Sequence, residues 1–288
     1  MNPTALYDLA APAKINLFLH LLGRRPDGYH LLQSVFALLD WQDTLHLELR
    51  PNGQISREDL TVKLPADDLC TRAAFALQKA TGCHLGAHIA IAKSIPAEAG
   101  MGGGSSDAAT CLIGLNRLWQ TGLNQDQLCT IGLQLGADVP FFIRGKNAWV
   151  EGIGEQITPI EIPEAEFLVI KPHKGLSTKD IFTAKDLKRD TKPATIAVFA
   201  EQRDDLFNYG QNDMQAVAQR LCPEITDVIH LMSQMGLNGR MTGSGSAVFA
   251  WLPMPSVKFL EQHGQQLKNI SQQFKICKNL SQHPLYNT

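Results

Sequence analysis

The sequence predicts an α+β protein of two domains, and three observations carry that expectation. Strand-like alternation and helical periodicity are interleaved through the first half of the chain. A second series of strands and helices starts afresh at Phe167. Between the strand and the long apolar helix that flank residues 96–106 stands a cluster of glycines. With 288 residues there is room for two domains of ordinary size, placed here at 1–160 and 161–288.

Each element follows from a local pattern. Over residues 14–20, Ile15, Leu17 and Leu19 alternate with Lys14, Asn16, Phe18 and His20, the period of a strand. Leu45, Leu47 and Leu49 alternate with His46, Glu48 and Arg50 in the same way. Asp67-Asp68 opens a helical run through Ala73 and Leu77 that Gly82 ends. A strand over 88–92 leads into the glycine cluster, and helical spacing resumes through Ala108, Leu112 and Leu115. Another helix is expected over 124–135 with Gly136 as its stop, then strands over 141–143 and 148–150. In the second half, strands are expected over 167–170, 247–252 and 274–277, and helices over 212–221, 223–235 and 255–267. Ser177-Thr-Lys-Asp180 has the look of a capped start to a short helix, and 185–205 reads as a charged connection.

Composition bounds the function. Lys and Arg number 26 against 28 Asp and Glu, a net charge of −2, so no global field draws nucleic acid or an anionic membrane; neither partner is expected. No apolar run approaches the ~20 residues that span a bilayer, and the start lacks a secretory pattern, which leads us to expect a cytoplasmic protein. The six cysteines are scattered with no CxxC pair, as reduced buried thiols would be. His84 and His88 have the spacing of a helical metal pair, but His88 opens a strand, so no metal-ligating side-chain site is expected.

The glycine cluster carries the chemistry. Gly100, Gly102, Gly103 and Gly104 would weaken any helix or strand interior, yet they sit where a strand hands over to a helix. The first turn of a helix leaves amide N–H groups unpaired, and its dipole favours an anion there. Pro96, Gly100, Met101, Gly102, Gly103, Gly104, Ser105 and Ser106 are therefore expected to hold a nucleotide's phosphates, the two serines capping the helix or ligating Mg2+. A Walker loop would end in Gly-Lys-Ser/Thr, which is absent. A dinucleotide loop would have an acidic strand tip some 20 residues on, where only Asp126 and Asp138 stand, both beside helices.

The stretch from Pro96 through Gly-Met-Gly-Gly-Gly-Ser-Ser-Asp107 resembles the second motif of the GHMP kinases, the family of galactokinase, homoserine kinase and mevalonate kinase. Ala13-Lys14-Ile-Asn16, Gly28-Tyr29-His30, Gly136-Ala-Asp138-Val-Pro140, Gly152-Ile-Gly154-Glu, Asn212-Asp213 and Met241-Thr242-Gly243-Ser-Gly245 extend the resemblance. Within the family, the Gly-Tyr-His and Gly-Ala-Asp-Val-Pro segments are similar to the branch that acts on a cytidine diphosphate-linked methylerythritol.

The resemblance implies a GHMP kinase fold: an N-terminal half like ribosomal protein S5 domain 2 and a ferredoxin-like C-terminal half. ATP and Mg2+ would act on a small-molecule substrate, in a monomer or weak homodimer. It implies Lys14 and Asp138 as the catalytic pair, with Asn16 beside them on the strand. Tyr29 and Phe182 would sandwich a cytosine whose edge His30 bonds, and the amides around Thr242 and Gly243 would face a diphosphate. Met101 stands where the family has Leu. Asp68 replaces an amide near the expected purine pocket. A kinase for another small alcohol, or a nucleotide-binding module without chemistry, stays open on residues alone.

Overall fold

The structure, a computed structural model, describes residues 3–202, 205–268 and 273–286. Its N-terminal half is organised on a long antiparallel ribbon, β1 (Ala5–Arg24) with β2 (His30–Arg50), in a register that sets Lys14 opposite Leu38 and Asn16 opposite Phe36. β2 is the hub. It also pairs with β4 (Gly86–Ala92) and β5 (Ala148–Glu151); β3 (Ile55–Asp59) lies parallel to β4, and β6 (Gln156–Pro159) pairs with β5.

Helices α1 (Leu69–Thr81), α2 (Gly103–Leu118) and α3 (Gln125–Leu135) cover this sheet. Ala73, Leu77, Leu112 and Leu115 pack there on Leu45, Leu47, Ile89 and Ile91. The alternation of leucines along β2 is what gives the sheet an apolar face for them. The Asp68 carboxylate caps α1, accepting from the Cys70 and Thr71 amides at 2.7 and 3.1 Å. Gly82, at φ 66°, ends the helix in the left-handed conformation expected of a glycine stop. Asn124 and Gln127 form a reciprocal capping box on α3.

The C-terminal half is an antiparallel sheet of β7 (Glu166–Lys171), β8 (Arg240–Met241), β9 (Val248–Trp251) and β10 (Gln273–Leu280), in the order β10-β7-β9-β8. The last strand, β10, lies beside the first, β7, and β9 separates β7 from β8, the ferredoxin-like split βαβ arrangement. α7 (Gln215–Leu221), α8 (Glu224–Gln234) and α9 (Ser256–Lys268) supply Val217, Val228, Met232, Phe259 and Leu267 to its core. β10 also pairs with β2, through Asn279 opposite Leu39, and Ile15, Leu17 and Trp41 share one apolar cluster with Phe167, Val169 and Phe249. The two halves are thus one packed unit. Among the described residues no helix is long and apolar enough to cross a membrane.

Several local expectations are corrected. Residues 141–143 are not a strand but part of α4 (Val139–Arg144), with Pro140 in its first turn; every residue from Val139 to Ile143 is buried. A short run that is apolar all round carries no periodicity to separate helix from strand. Ser177 precedes α5 (Thr178–Thr183) but makes no side-chain cap bond. The connection at 185–205 contains α6 (Ile196–Ala200), capped by Thr195.

Candidate active site

A cleft of about 790 Å3 opens between the halves, with Lys14, Asn16, Gly104, Asp138, Phe182 and Gly243 on its walls. Lys14 is 3% exposed on β1. Its ammonium bonds the Asn16 Oδ1 at 2.6 Å, lies 3.6 Å from the Asp138 carboxylate, and sits 4.7 Å from the centre of the Phe36 ring. Burial pushes this lysine below its ordinary value, while Asp138 pulls it back up. Asp138 occupies the N-cap position of α4, but its side chain makes no cap bond and is 30% exposed. A residue placed as a cap and not used as one is free to face the cleft.

Asn16 holds Lys14 in place. Its Nδ2 donates to Ser34 Oγ at 2.9 Å, and Ser34 donates in turn to the Phe18 carbonyl. Its backbone N–H donates to the Thr242 hydroxyl at 2.9 Å, across 226 residues of sequence. The Thr242 side chain is fully buried behind the cleft wall.

The glycine loop ends in Gly102, the N-cap of α2 at φ 71°. Gly103, Gly104 and Ser105 form the first turn, whose amides have no intrahelical acceptors. Among the described residues, none of the amides from Gly100 to Ser105 donates to a turn or loop acceptor. Pro96, Met101 and Ser105 line the cleft with them. The expectation that the serines cap the helix is corrected: both lie inside α2, and the Ser106 amide donates to the Gly102 carbonyl at 2.9 Å. The Ser106 hydroxyl is buried without a protein partner.

The loop at 242–246 differs from expectation. The Thr242 amide donates to Ala247, Gly245 to Thr242, and Ser246 to the Glu98 carbonyl, the last at 3.0 Å. These amides tie the second glycine loop to itself and to the first, and only those of Gly243 and Ser244 are left for a ligand. Loop-to-loop closure uses what a bare glycine motif offered on paper.

The aromatic residues are only partly assembled. Phe182 on α5 lines the cleft and stacks on His30, with centroids 4.8 Å apart and planes at 25°. Tyr29 is 59% exposed and stands off the cleft wall, so the two rings that would sandwich a base do not face each other across it here. Reasoning from sequence missed Arg189, whose Nε donates to His30 Nε2 at 2.9 Å. It also missed a buried charge cluster under the loop. Lys93 bridges Asp43 and Asp107, and Asp43 accepts the Ser94 and Ile95 amides at 2.6 and 2.8 Å. Asp107 was visible inside the glycine motif; neither Asp43 nor Arg189 carried any local signal.

The residues present fit a nucleotide and a hard cation. An unpaired first turn and a buried, partnerless hydroxyl are what phosphate oxygens and a magnesium ion bind. Among the described residues no cluster of three or more metal-ligating His, Cys, Asp or Glu side chains occurs. Asp68 is occupied by its cap bonds and by Arg57.

Comparison with known proteins agrees with this geometry. Residues 68–146 match the model of the GHMP kinases N terminal domain and 194–274 that of the GHMP kinases C terminal. The chain is 56% identical to the 4-diphosphocytidyl-2-C-methyl-D-erythritol kinase of Variovorax paradoxus (strain S110), over 98% of each chain. It is 58% identical to that of Paracidovorax citrulli (strain AAC00-1), over 97% of this chain and 96% of the relative. A crystal structure of 4-(cytidine 5'-diphospho)-2C-methyl-D-erythritol kinase superposes with a TM-score of 0.78 at 30% identity, covering 94% of this chain and 98% of that one. A homoserine kinase from Cytophaga hutchinsonii superposes at 0.72 with 16% identity, a likeness of fold alone. With its glycine loop, its Lys14–Asp138 pair and these relatives in agreement, the chain belongs to the GHMP kinases and, within them, to the 4-diphosphocytidyl-2-C-methyl-D-erythritol kinase family.

Proposed function

We infer that the protein transfers the terminal phosphoryl group of ATP to the 2-hydroxyl of 4-(cytidine 5'-diphospho)-2-C-methyl-D-erythritol, a step of non-mevalonate isoprenoid biosynthesis in the cytoplasm. The observation that carries this reading is the placement of the Lys14 ammonium 3.6 Å from Asp138, on the cleft wall that the α2 first turn also lines. Phosphoryl transfer asks a protein mainly for position and charge. Asp138 orients the acceptor hydroxyl and takes its proton. Lys14, desolvated and steadied by Asn16, holds that carboxylate in place and sets positive charge beside the transferring group.

The amides of Gly102, Gly103, Gly104 and Ser105 cradle the phosphates, with Pro96, Gly100 and Met101 shaping the loop that presents them. The Ser105 and Ser106 hydroxyls are the side chains that would hold a Mg2+ ion here, and such an ion would supply neutralising charge to the phosphates. In the substrate subsite, Phe182 and Tyr29 are the stacking surfaces, His30 meets the base edge, and Gly243 faces the diphosphate. The first half, to about residue 160, then serves mostly the nucleotide and the second mostly the acceptor. The chain acts as a monomer or weak homodimer.

The test is ADP release in a coupled assay with four acceptors: the cytidylated methylerythritol, homoserine, mevalonate and galactose. Turnover is expected with the first alone. Preference for any of the other three would overturn the assignment of the acceptor and leave the phosphoryl-transfer site standing.

A further inference from the structure

We propose that Arg189 is the positioning residue of the base subsite: it fixes the ring and tautomer of His30 and ties that ring to Phe182. Arg189 lies on the connection after α5, 159 residues from His30, and makes four hydrogen bonds shared between two structures. Nε donates to His30 Nε2 at 2.9 Å. NH2 donates to the Phe182 and Ala184 carbonyls at 3.1 and 2.8 Å, and NH1 to Leu187 at 2.9 Å. One planar guanidinium thus grips the exit of α5, which carries Phe182, and the first residue of β2, which is His30.

A guanidinium has donors and no acceptor, so the imidazole nitrogen it faces carries no proton. His30 is therefore the neutral tautomer with its proton on Nδ1, the ring nitrogen that Arg189 does not reach. Burial and the charges of Arg189 and Arg24 hold the ring below its ordinary value, which keeps it neutral. The consequence is chemical. An N–H at Nδ1 matches the acceptor edge of cytosine, its N3 and O2, and mismatches the N3–H of uracil. Arg189 sets the sign of that reading without touching the base, and by the same bonds keeps the ring parallel to Phe182, 4.8 Å away.

This rests on the reading of the cleft as a kinase site for a cytidine-linked acceptor, and the experiment separates the two. Protein labelled with 15N at histidine is compared as wild type, Arg189→Gln, Arg189→Lys and His30→Gln, the last serving to assign the His30 signals. Long-range proton–nitrogen spectra report the tautomer whatever the enzyme's substrate. Wild type is expected to show His30 protonated at Nδ1. Arg189→Gln should mix the tautomers, raise KM for the cytidylated acceptor about 10-fold, and leave kcat and the KM for ATP within about 2-fold. It should also narrow the preference for the cytidine-linked over the uridine-linked acceptor by about 10-fold. Arg189→Lys, which keeps a charged donor and loses the fork, should recover the tautomer but only part of the KM. A wild-type His30 protonated at Nε2, or equal losses for both substrates in Arg189→Gln, overturns the proposal. A wild type with the expected tautomer but no activity on the cytidylated acceptor would sink the assignment of the acceptor and the base-reading role, leaving Arg189 as a structural clamp.

Discussion

Gly100 and Thr242 approach so closely that a Cβ on Gly100 would run into the Thr242 carbonyl oxygen. Gly100 also sits at φ 70°, where an L side chain is strained. Gly104 is different: a Cβ there meets nothing closer than Leu69 Cδ1 at 3.5 Å, in a helical turn on the cleft wall. Two glycines of one motif therefore do different work. Gly100→Ala should cost about 2–4 kcal/mol of stability through strain and loop separation. Gly104→Ala should leave stability unchanged or slightly raised, since alanine favours a helix by about 1 kcal/mol, while raising KM for ATP about 10-fold or more. Urea unfolding and steady-state kinetics on both variants decide this. Equal behaviour of the two would contradict the division.

Asp138 is expected to matter for turnover and not for nucleotide affinity. Among the described residues its side chain makes no cap bond, and it faces Lys14 in the cleft. Asp138→Asn should reduce kcat by about 100-fold or more while ATP affinity, read by calorimetry, stays within about 2-fold. Turnover that survived within a few-fold would remove Asp138 from the chemistry.

The cluster beneath the glycine loop holds two buried carboxylates and one part-buried ammonium. Burial, with Asp43's charge added and Lys93's attraction opposing, pushes Asp107 up to about 7. One Asp107 oxygen has no partner among the described residues, whereas Asp43 holds two backbone amides as well as Lys93. The surplus negative charge is thus on Asp107. Asp107→Asn should alter unfolding free energy at pH 7.5 by no more than about 1 kcal/mol, and Asp43→Asn should cost about 3 kcal/mol or more. Thermal and urea unfolding of the pair test it; a larger loss from Asp107→Asn would reverse the assignment.

What the sequence showed and hid follows from the range of the forces involved. The strand that carries Lys14 and Asn16 and the α2 turn were legible because strand alternation and glycine clustering are local signals. The helix at Val139–Arg144 was not, since its five-residue apolar run from Val139 to Ile143 fits either period and only its burial on all sides decides. Thr242 and its neighbours were read as free amides, but the loop's own turn engages Thr242 and Gly245, closure against Glu98 engages Ser246, and nothing within the motif announces a partner some 150 residues away. Arg189 was invisible for the same reason: a charged residue in a charged connection acquires meaning only from the ring it reaches.

His283 should make the fold sensitive to mild acid. It is fully buried near the C-terminus; its Nδ1 accepts from the Leu285 amide at 3.2 Å, its Nε2 lies 3.4 Å from the Thr110 hydroxyl, and its own amide donates to the Gly145 carbonyl. A protonated ring would lose the acceptor that Leu285 uses. Burial, with a smaller push from Arg117, lowers this histidine from 6.5 to about 4. Because the folded value lies below the unfolded one, the unfolded chain takes up the proton first as pH falls. The stability tied to the neutral ring is therefore full above about 6.5 and is lost progressively towards 4. A gap of that size is worth about 3 kcal/mol at most. His283→Asn keeps an acceptor for Leu285 and removes the titration. At pH 7.5 the variant should be less stable than wild type by about 1–2 kcal/mol, through lost packing. Between pH 6.5 and 4.5 that deficit should shrink and then reverse, because only the wild type pays for excluding the proton. Parallel urea titrations across this range are the measurement, and a constant difference between the two proteins would mean that His283 does not contribute to the acid limb.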